Sequence, residues 1–292
     1  MIQVRRIGHA TFETPDLDKA VDYYAAVNGL SLIGRGDQTA YLASNTGLLT
    51  IALQRADAAR CARLTFEVAP DSDLAAVQKD LAAEGVPSER HSDPAPGVTS
   101  SLLLTDPNGT GVELYAKRGN LSVKPVAAGV GPLKLGHVAF FTPDPDKVGK
   151  FYQRFLGFRV SDWIEDFFLF MRCNADHHAV NFLRGEKPRM HHIAFELKDA
   201  AHIVTSCDVL AKNKIPIVWG PIRLGPGHNV ATFHREHDGQ MVEFYTELDQ
   251  MKDEALGYYD PRPWHRDAPQ RPKVWKLVDD PLWGPPPPPN FL

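Results

Sequence analysis

Residues 7–32 read IGHATFETPDLDKAVDYYAAVNGLSL, and residues 135–160 read LGHVAFFTPDPDKVGKFYQRFLGFRV. The two stretches align without a gap. Gly8/Gly136, His9/His137, Thr14/Thr142, Pro15/Pro143, Asp16/Asp144, Asp18/Asp146, Lys19/Lys147, Tyr24/Tyr152 and Gly29/Gly157 all differ by 128. So many identities at one offset mark a duplication. Further on, ARLTFEV (62–68) matches HHIAFEL (191–197) at an offset of 129, and NGTGVELY (108–115) matches DGQMVEFY (238–245) at 130. The repeated unit is about 120 residues, a whole domain rather than a solenoid repeat.

Within each copy the pattern alternates between strand and helix signals. GHVAFFTP is a short apolar run ended by Pro143, and DPDKVGKFYQRFLG opens on an aspartate cap and closes on Gly157, as a helix should. HHIAFEL reads as a strand, DAAHIVTSCDVLAKNKI has helical spacing, and DGQMVEFYT is a turn feeding a strand. This predicts an α+β chain in which β-α-β-β-β, with a partial second helix, occurs twice. The expected units are residues 1–125, residues 131–255 and a proline- and tryptophan-rich arm, 256–292, lying extended on the body with a polyproline end.

The 292 residues, 43% hydrophobic, suffice for two cores. A net charge of −4 with mixed signs argues against nucleic acid and anionic membrane surfaces as partners, and favours a small molecule. The sequence shows no signal-peptide pattern at Met1 and no apolar run near the roughly 20 residues of a spanning helix, so a soluble protein is expected. Cys61, Cys173 and Cys207 form no C-x-x-C pair, which suits a reducing compartment, and the cytoplasm is the expectation. A homo-oligomer is also expected, because such sheets commonly assemble.

Nine of the twelve histidines lie between His137 and His237. Strand alternation predicts that the adjacent His191 and His192 face opposite ways. His192 matches Arg63 and His191 matches Ala62, so the polar position common to both copies is the second, and His192 is expected to point inward. The three polar strand positions are then His9, Arg63 and Glu113 in the first copy, against His137, His192 and Glu243 in the second. Only the second set suits a metal. Two imidazoles and a carboxylate leave an octahedral shell half open, as non-haem Fe(II) uses to take a chelating substrate and O2 together. In the first copy a guanidinium cannot ligate and should pair with Glu113, leaving a dead site.

These pieces, above all LGHV, PRMHHIAFE and DGQMVEFYTE, resemble the vicinal oxygen chelate superfamily and its two-domain type I extradiol ring-cleaving dioxygenases, over nearly the whole body up to about Asp260. The resemblance implies tandem domains built from βαβββ modules, with the active site in the C-terminal one. It also implies Fe(II)- or Mn(II)-dependent meta cleavage of a small aromatic diol, with O2 as co-substrate and His137, His192 and Glu243 as ligands. The family's acid-base histidine falls on His178, fourteen residues before His192. In the loop LGPGHNVATFHREHDG, shorter than the family's, His228 stands in for a loop histidine; the tyrosine position reads Phe233, with His234 beside it as a weaker candidate. A non-oxidative lyase or isomerase of this fold, or a ligand-sequestering protein, is the alternative. Trp163, Phe167, Phe168 and Phe182 are candidate ring contacts, and Arg223, Arg262 and Arg266 candidate carboxylate partners.

Overall fold

The computed structural model describes residues 2–119, 121–124, 126–262 and 264–292. Positions 1 and 125, the expected ends of the first unit, lie outside them. The first half runs β1 (Val4–Thr14), α1 (Leu17–Asp22), β2 (Ser31–Arg35), β3 (Thr39–Ala43), β4 (Leu49–Arg55), β5 (Arg60–Val68), α2 (Leu74–Ala83), β6 (Ser88–Ala95), β7 (Val98–Thr105) and β8 (Gly111–Tyr115). The second half repeats the order as β9 (Lys134–Thr142), α3 (Pro145–Leu156), β10 (Arg159–Ile164), β11 (Phe168–Arg172), β12 (Val180–Arg184), β13 (Arg189–Glu196), α4 (Ala200–Lys212), β14 (Ile217–Arg223), β15 (Val230–Arg235) and β16 (Met241–Thr246). A short β17 (Val274–Trp275) belongs to the arm.

Each half therefore holds two complete βαβββ modules. The second helix, expected as partial, is full in both halves, with ten residues in α2 and thirteen in α4. Its sequence signal is weak in the first half, where only Leu74 and Leu81 of α2 are fully buried. The caps are local: Asp144 Oδ1 accepts from the Lys147 N–H at 3.0 Å, and α3 ends on Gly157 at φ 72°, where a side chain would be strained. Asp16 caps α1 in the same way, which is why both aspartates survive in the repeat.

The first sheet has the order β2-β3-β4-β1-β5-β8-β7-β6, and the second β14-β15-β16-β13-β9-β12-β11-β10-β17. In each, two modules meet through an antiparallel pair of their first strands, β1 with β5 and β9 with β13. One face of both sheets closes on a single core that includes Val4, Leu64, Val138 and Phe195. Contacts across the halves fix their relation: Tyr152 Oη donates to Asp106 Oδ2 at 3.0 Å, and Asn108 Nδ2 to the Phe141 carbonyl at 3.1 Å. With Val138 and Phe140 in that core, alternation turns His137, Ala139 and Phe141 to the other face. That face holds the candidate site.

The arm does lie on the body. β17 extends the second sheet by pairing with β10, and Phe291 packs against Trp219 and Phe233. Among the described residues no helix is long and apolar enough to cross a membrane.

Candidate metal centre

Strands β16, β13 and β9 are neighbours, and on one rung Ala194 of β13 pairs with Glu243 on one side and His137 on the other. His192 stands two residues along the same strand. Glu243 Oε2 lies 3.0 Å from His137 Nε2 and 3.2 Å from His192 Nε2, and all three side chains are buried. Their ligand atoms fall within 4.8 Å of one another. The methyl of Ala194 is too small to enter the space between them.

The first half shows what a larger residue does there. Thr65 occupies the matching position, paired with His9 and Glu113. Its hydroxyl lies 3.3 Å from His9 Nε2 and 3.3 Å from Glu113 Oε2, while Arg63 Nη1 reaches Glu113 Oε2 at 3.4 Å. Hydroxyl and guanidinium satisfy the carboxylate, so nothing is left to bind an ion.

The adjacent histidines depart from the alternation expected of them. The pairing of β13 with β9 steps from Met190↔Phe140 to His192↔Ala139, leaving His191 as the extra residue of a β-bulge. Both rings consequently face the cavity. His191 Nε2 lies 2.6 Å from the Phe291 carbonyl, and His191 Nδ1 lies 2.6 Å from His192 Nδ1. A carbonyl only accepts, so His191 carries its proton on Nε2. Burial, then the neighbouring His192, pushes the His191 pKa down to about 3, so the ring is neutral and its Nδ1 is bare. His192 must then donate from Nδ1, which presents its Nε2 lone pair to the site. This is the outer hydrogen bond that fixes a ligand's tautomer.

The second adjacent pair repeats the device. Asp162 accepts from Trp275 Nε1 at 2.6 Å and from the Lys273 N–H at 2.7 Å, and its Oδ2 lies 3.1 Å from His177 Nε2. His177 Nδ1 lies 2.9 Å from His178 Nδ1. With the carboxylate accepting from the Nε2–H of His177, the His177 Nδ1 is bare, so His178 donates to it from Nδ1 and offers a bare Nε2. Burial first, then the neighbouring histidines, holds the His178 pKa well below its ordinary value, so the ring is neutral. Its ring centroid is 4.3 Å from that of His137. Asn229 Nδ2 donates to Glu243 Oε1 at 2.9 Å, leaving Oε2 to the histidines.

Two candidates do not join this group. His228 Nδ1 lies 2.7 Å from Asp249 Oδ2, whose other oxygen is 3.1 Å from His265 Nε2, and this cluster borders a separate cavity with Arg223 and Trp264. His234 Nε2 lies 2.6 Å from Tyr23 Oη, in the seam between the halves. Its candidacy as a catalytic group is corrected by alternation on β15: Phe233 faces the site, with its ring centroid 5.6 Å from that of His192, so His234 faces away. Of the other ring candidates, Phe168 lines the cavity and Phe182 belongs to the central core. Arg223 is bound to Glu247 at 2.7 Å and to the His228 carbonyl, and none of the three arginines lines the metal cavity. Its apolar walls include Phe168, Phe170, Trp219 and Phe233, and residues of the arm, Leu277, Pro287 and Phe291, complete them.

The Glyoxalase/Bleomycin resistance protein/Dioxygenase superfamily profile matches residues 6–114 and 134–244. Metapyrocatechase 2 of Cupriavidus necator is 25% identical over 268 residues, covering 84% of this chain and 82% of its own. The manganese-dependent 2,3-dihydroxybiphenyl 1,2-dioxygenase of Geobacillus genomosp. 3 is 23% identical over 255 residues, 78% of either chain. Among solved structures, the Mn(II)-bound glyoxalase from Novosphingobium aromaticivorans superposes with a TM-score of 0.86 at 25% identity, covering 100% of this chain and 95% of that one. Homoprotocatechuate 2,3-dioxygenase from Brevibacterium fuscum, complexed with 3,4-dihydroxyphenylacetate, shares the fold at TM-score 0.82 and 23% identity, over 99% of this chain and 92% of that one.

Proposed function

The chain belongs to the Glyoxalase/Bleomycin resistance protein/Dioxygenase superfamily, and from that premise we propose that it is an extradiol dioxygenase cleaving an uncharged catechol with O2. The observation that carries the reading is the convergence of His137, His192 and Glu243 beside the bare Nε2 of His178. The donor set fits a divalent ion: two imidazoles and one carboxylate, with His192 oriented by His191 and Glu243 by Asn229. We take the ion to be Fe(II), with Mn(II) as the substitute. Bound there, it would hold two vicinal oxygens and relay to O2 the electrons that the catechol supplies.

The protein's own groups do the rest. His178 Nε2 takes the proton of the catechol hydroxyl nearest it, and the resulting imidazolium is stabilised through His177 by Asp162. It returns that proton once the ring opens. Phe168, Phe170, Trp219 and Phe233 enclose the ring and exclude water. Because the described cavity lining holds no lysine or arginine, a substrate carboxylate finds no counter-charge. In this reading residues 131–255 are catalytic and residues 1–125 support them. We further take the enzyme to be cytoplasmic, on its three free cysteines, and homo-oligomeric, on the open edge strands β2 and β6.

An oxygen electrode tests the reaction: reconstituted protein should consume one O2 per catechol added. Catechol that binds without oxygen uptake would favour a non-oxidative isomerase or lyase. The observation on that side is Phe233, which offers no hydroxyl to the cavity.

A further inference from the structure

Beyond the ligands and His178, the described lining of the metal cavity contains one polar side chain with neither a role in the reaction nor a partner. Asn181 of β12 is 1% exposed, lines the cavity, and neither its Oδ1 nor its Nδ2 has a hydrogen-bond partner among the described residues. Leaving both ends of a buried amide unpaired is costly unless something else satisfies them. The other polar groups there are engaged: His191 with the Phe291 carbonyl, and Asp280 with the Gly225 N–H.

Register places the amide. Asn181 pairs with Ala139 of β9 and Phe170 of β11. Ala139 is two residues beyond His137, a step of about 6.6 Å along a strand. Ala139 pairs in turn with His192, so Asn181 stands two strands from that ligand on its own rung and one step along from His137 and Glu243, within reach of what a chelated ring carries. In the first half the matching position, paired with Thr11 and Tyr41, is Ala52. The amide is confined to the half with the open site.

We propose that Asn181 determines specificity, its amide receiving a neutral hydrogen-bonding substituent, a hydroxyl, ether or carbonyl, on the ring of the catechol. The group must be neutral because the lining offers no cation and contains the carboxyls of Glu243 and Asp280. The inference rests on the dioxygenase reading and adds the substrate's second point of recognition.

The test compares 3- and 4-hydroxymethylcatechol with the near-isosteric ethylcatechols, by anaerobic Kd on metal-loaded protein and by kcat/KM. The wild type should favour a hydroxymethyl isomer at least tenfold over its ethyl counterpart. Asn181→Leu should erase that ratio while ethylcatechol turnover stays within about threefold, and the metal-free variant should melt about 2 °C or more above wild type, because an unpaired buried amide is gone. A merely structural asparagine would give the opposite shift in Tm. Asn181→Ala, which adds no bulk, should lose the same ratio should the leucine variant fail to fold. A ratio unchanged within twofold in protein that turns catechols over would overturn this inference alone. Metal-loaded wild type that binds no catechol at all would overturn the dioxygenase reading and this inference with it.

Discussion

His191 Nδ1 and His192 Nδ1 face each other at 2.6 Å, with the far nitrogen of His191 on the carbonyl of Phe291. The last turn of the arm thus reaches a metal-ligand candidate through a single intervening ring. His177 stands in the same relation to His178, with Asp162 behind it. Each inner histidine owes its bare Nε2 to its outer neighbour.

Replacing His191 by Phe keeps the ring volume and removes the acceptor for His192. The expected loss is 10–100-fold in metal affinity, as for other outer-shell changes, roughly. Competition against a fluorescent chelator measures it. His192→Ala should remove the ion altogether while circular dichroism stays native.

Asp162→Asn leaves the ligands untouched but no longer fixes the tautomer of His177. Metal content should stay at one ion per chain while kcat falls by about tenfold. His178→Gln should fall further, by roughly 100-fold, within the range of a lost acid-base group. Single-turnover kinetics with inductively coupled plasma analysis of the same samples separates the two effects.

Ala194→Thr would copy Thr65 into the open half. Its hydroxyl should bridge His137 and Glu243 as Thr65 bridges His9 and Glu113, and divalent metal affinity should drop by at least tenfold, about 1.4 kcal/mol. Isothermal titration with Mn(II) gives the number, and an unchanged affinity would show that the rung has room for both.

Acid stability follows from the buried neutral histidines. His9, His191 and His234 each have pKa values lowered from 6.5 to about 3, by burial above all. As pH falls below 6.5 the unfolded chain takes up protons that the folded chain refuses, so stability is full above 6.5 and lost on the way down to about 3. Each histidine contributes about 1.4 kcal/mol per pH unit in that window. His234→Gln, which keeps a partner for Tyr23, should flatten the urea-midpoint profile between pH 6 and 4 by one such increment.

The duplication and its strand positions were legible because identical residues recur at nearly constant offsets, so His137, His192 and Glu243 align with His9, Arg63 and Glu113. A second, shorter repeat was there to be read as well: Thr11-Phe12-Glu13 and Thr65-Phe66-Glu67 begin successive modules of the first half, and that signal announces the full second helix. The β-bulge at His191 was not legible, since one extra residue in a ladder depends on the partner strand. Nor was the fate of His228 and His234, whose spacing to Glu243 fits either face until the pairing of β15 is known. Gly136 was explicable only afterwards: a Cβ there would overlap the Tyr245 hydroxyl, as one at Gly8 would meet Tyr115. Asn181 carried no motif, and its interest lies entirely in having no partner.

The most direct test of the account is a single turnover of Fe(II)-reconstituted protein with a hydroxymethylcatechol under 18O2, read by mass spectrometry of the product. Extradiol cleavage predicts a ring-opened hydroxymuconic semialdehyde carrying both labelled atoms, with one metal per chain. Catechol recovered intact and unlabelled from metal-loaded protein, or a dicarboxylic product of cleavage between the hydroxyls, would contradict it.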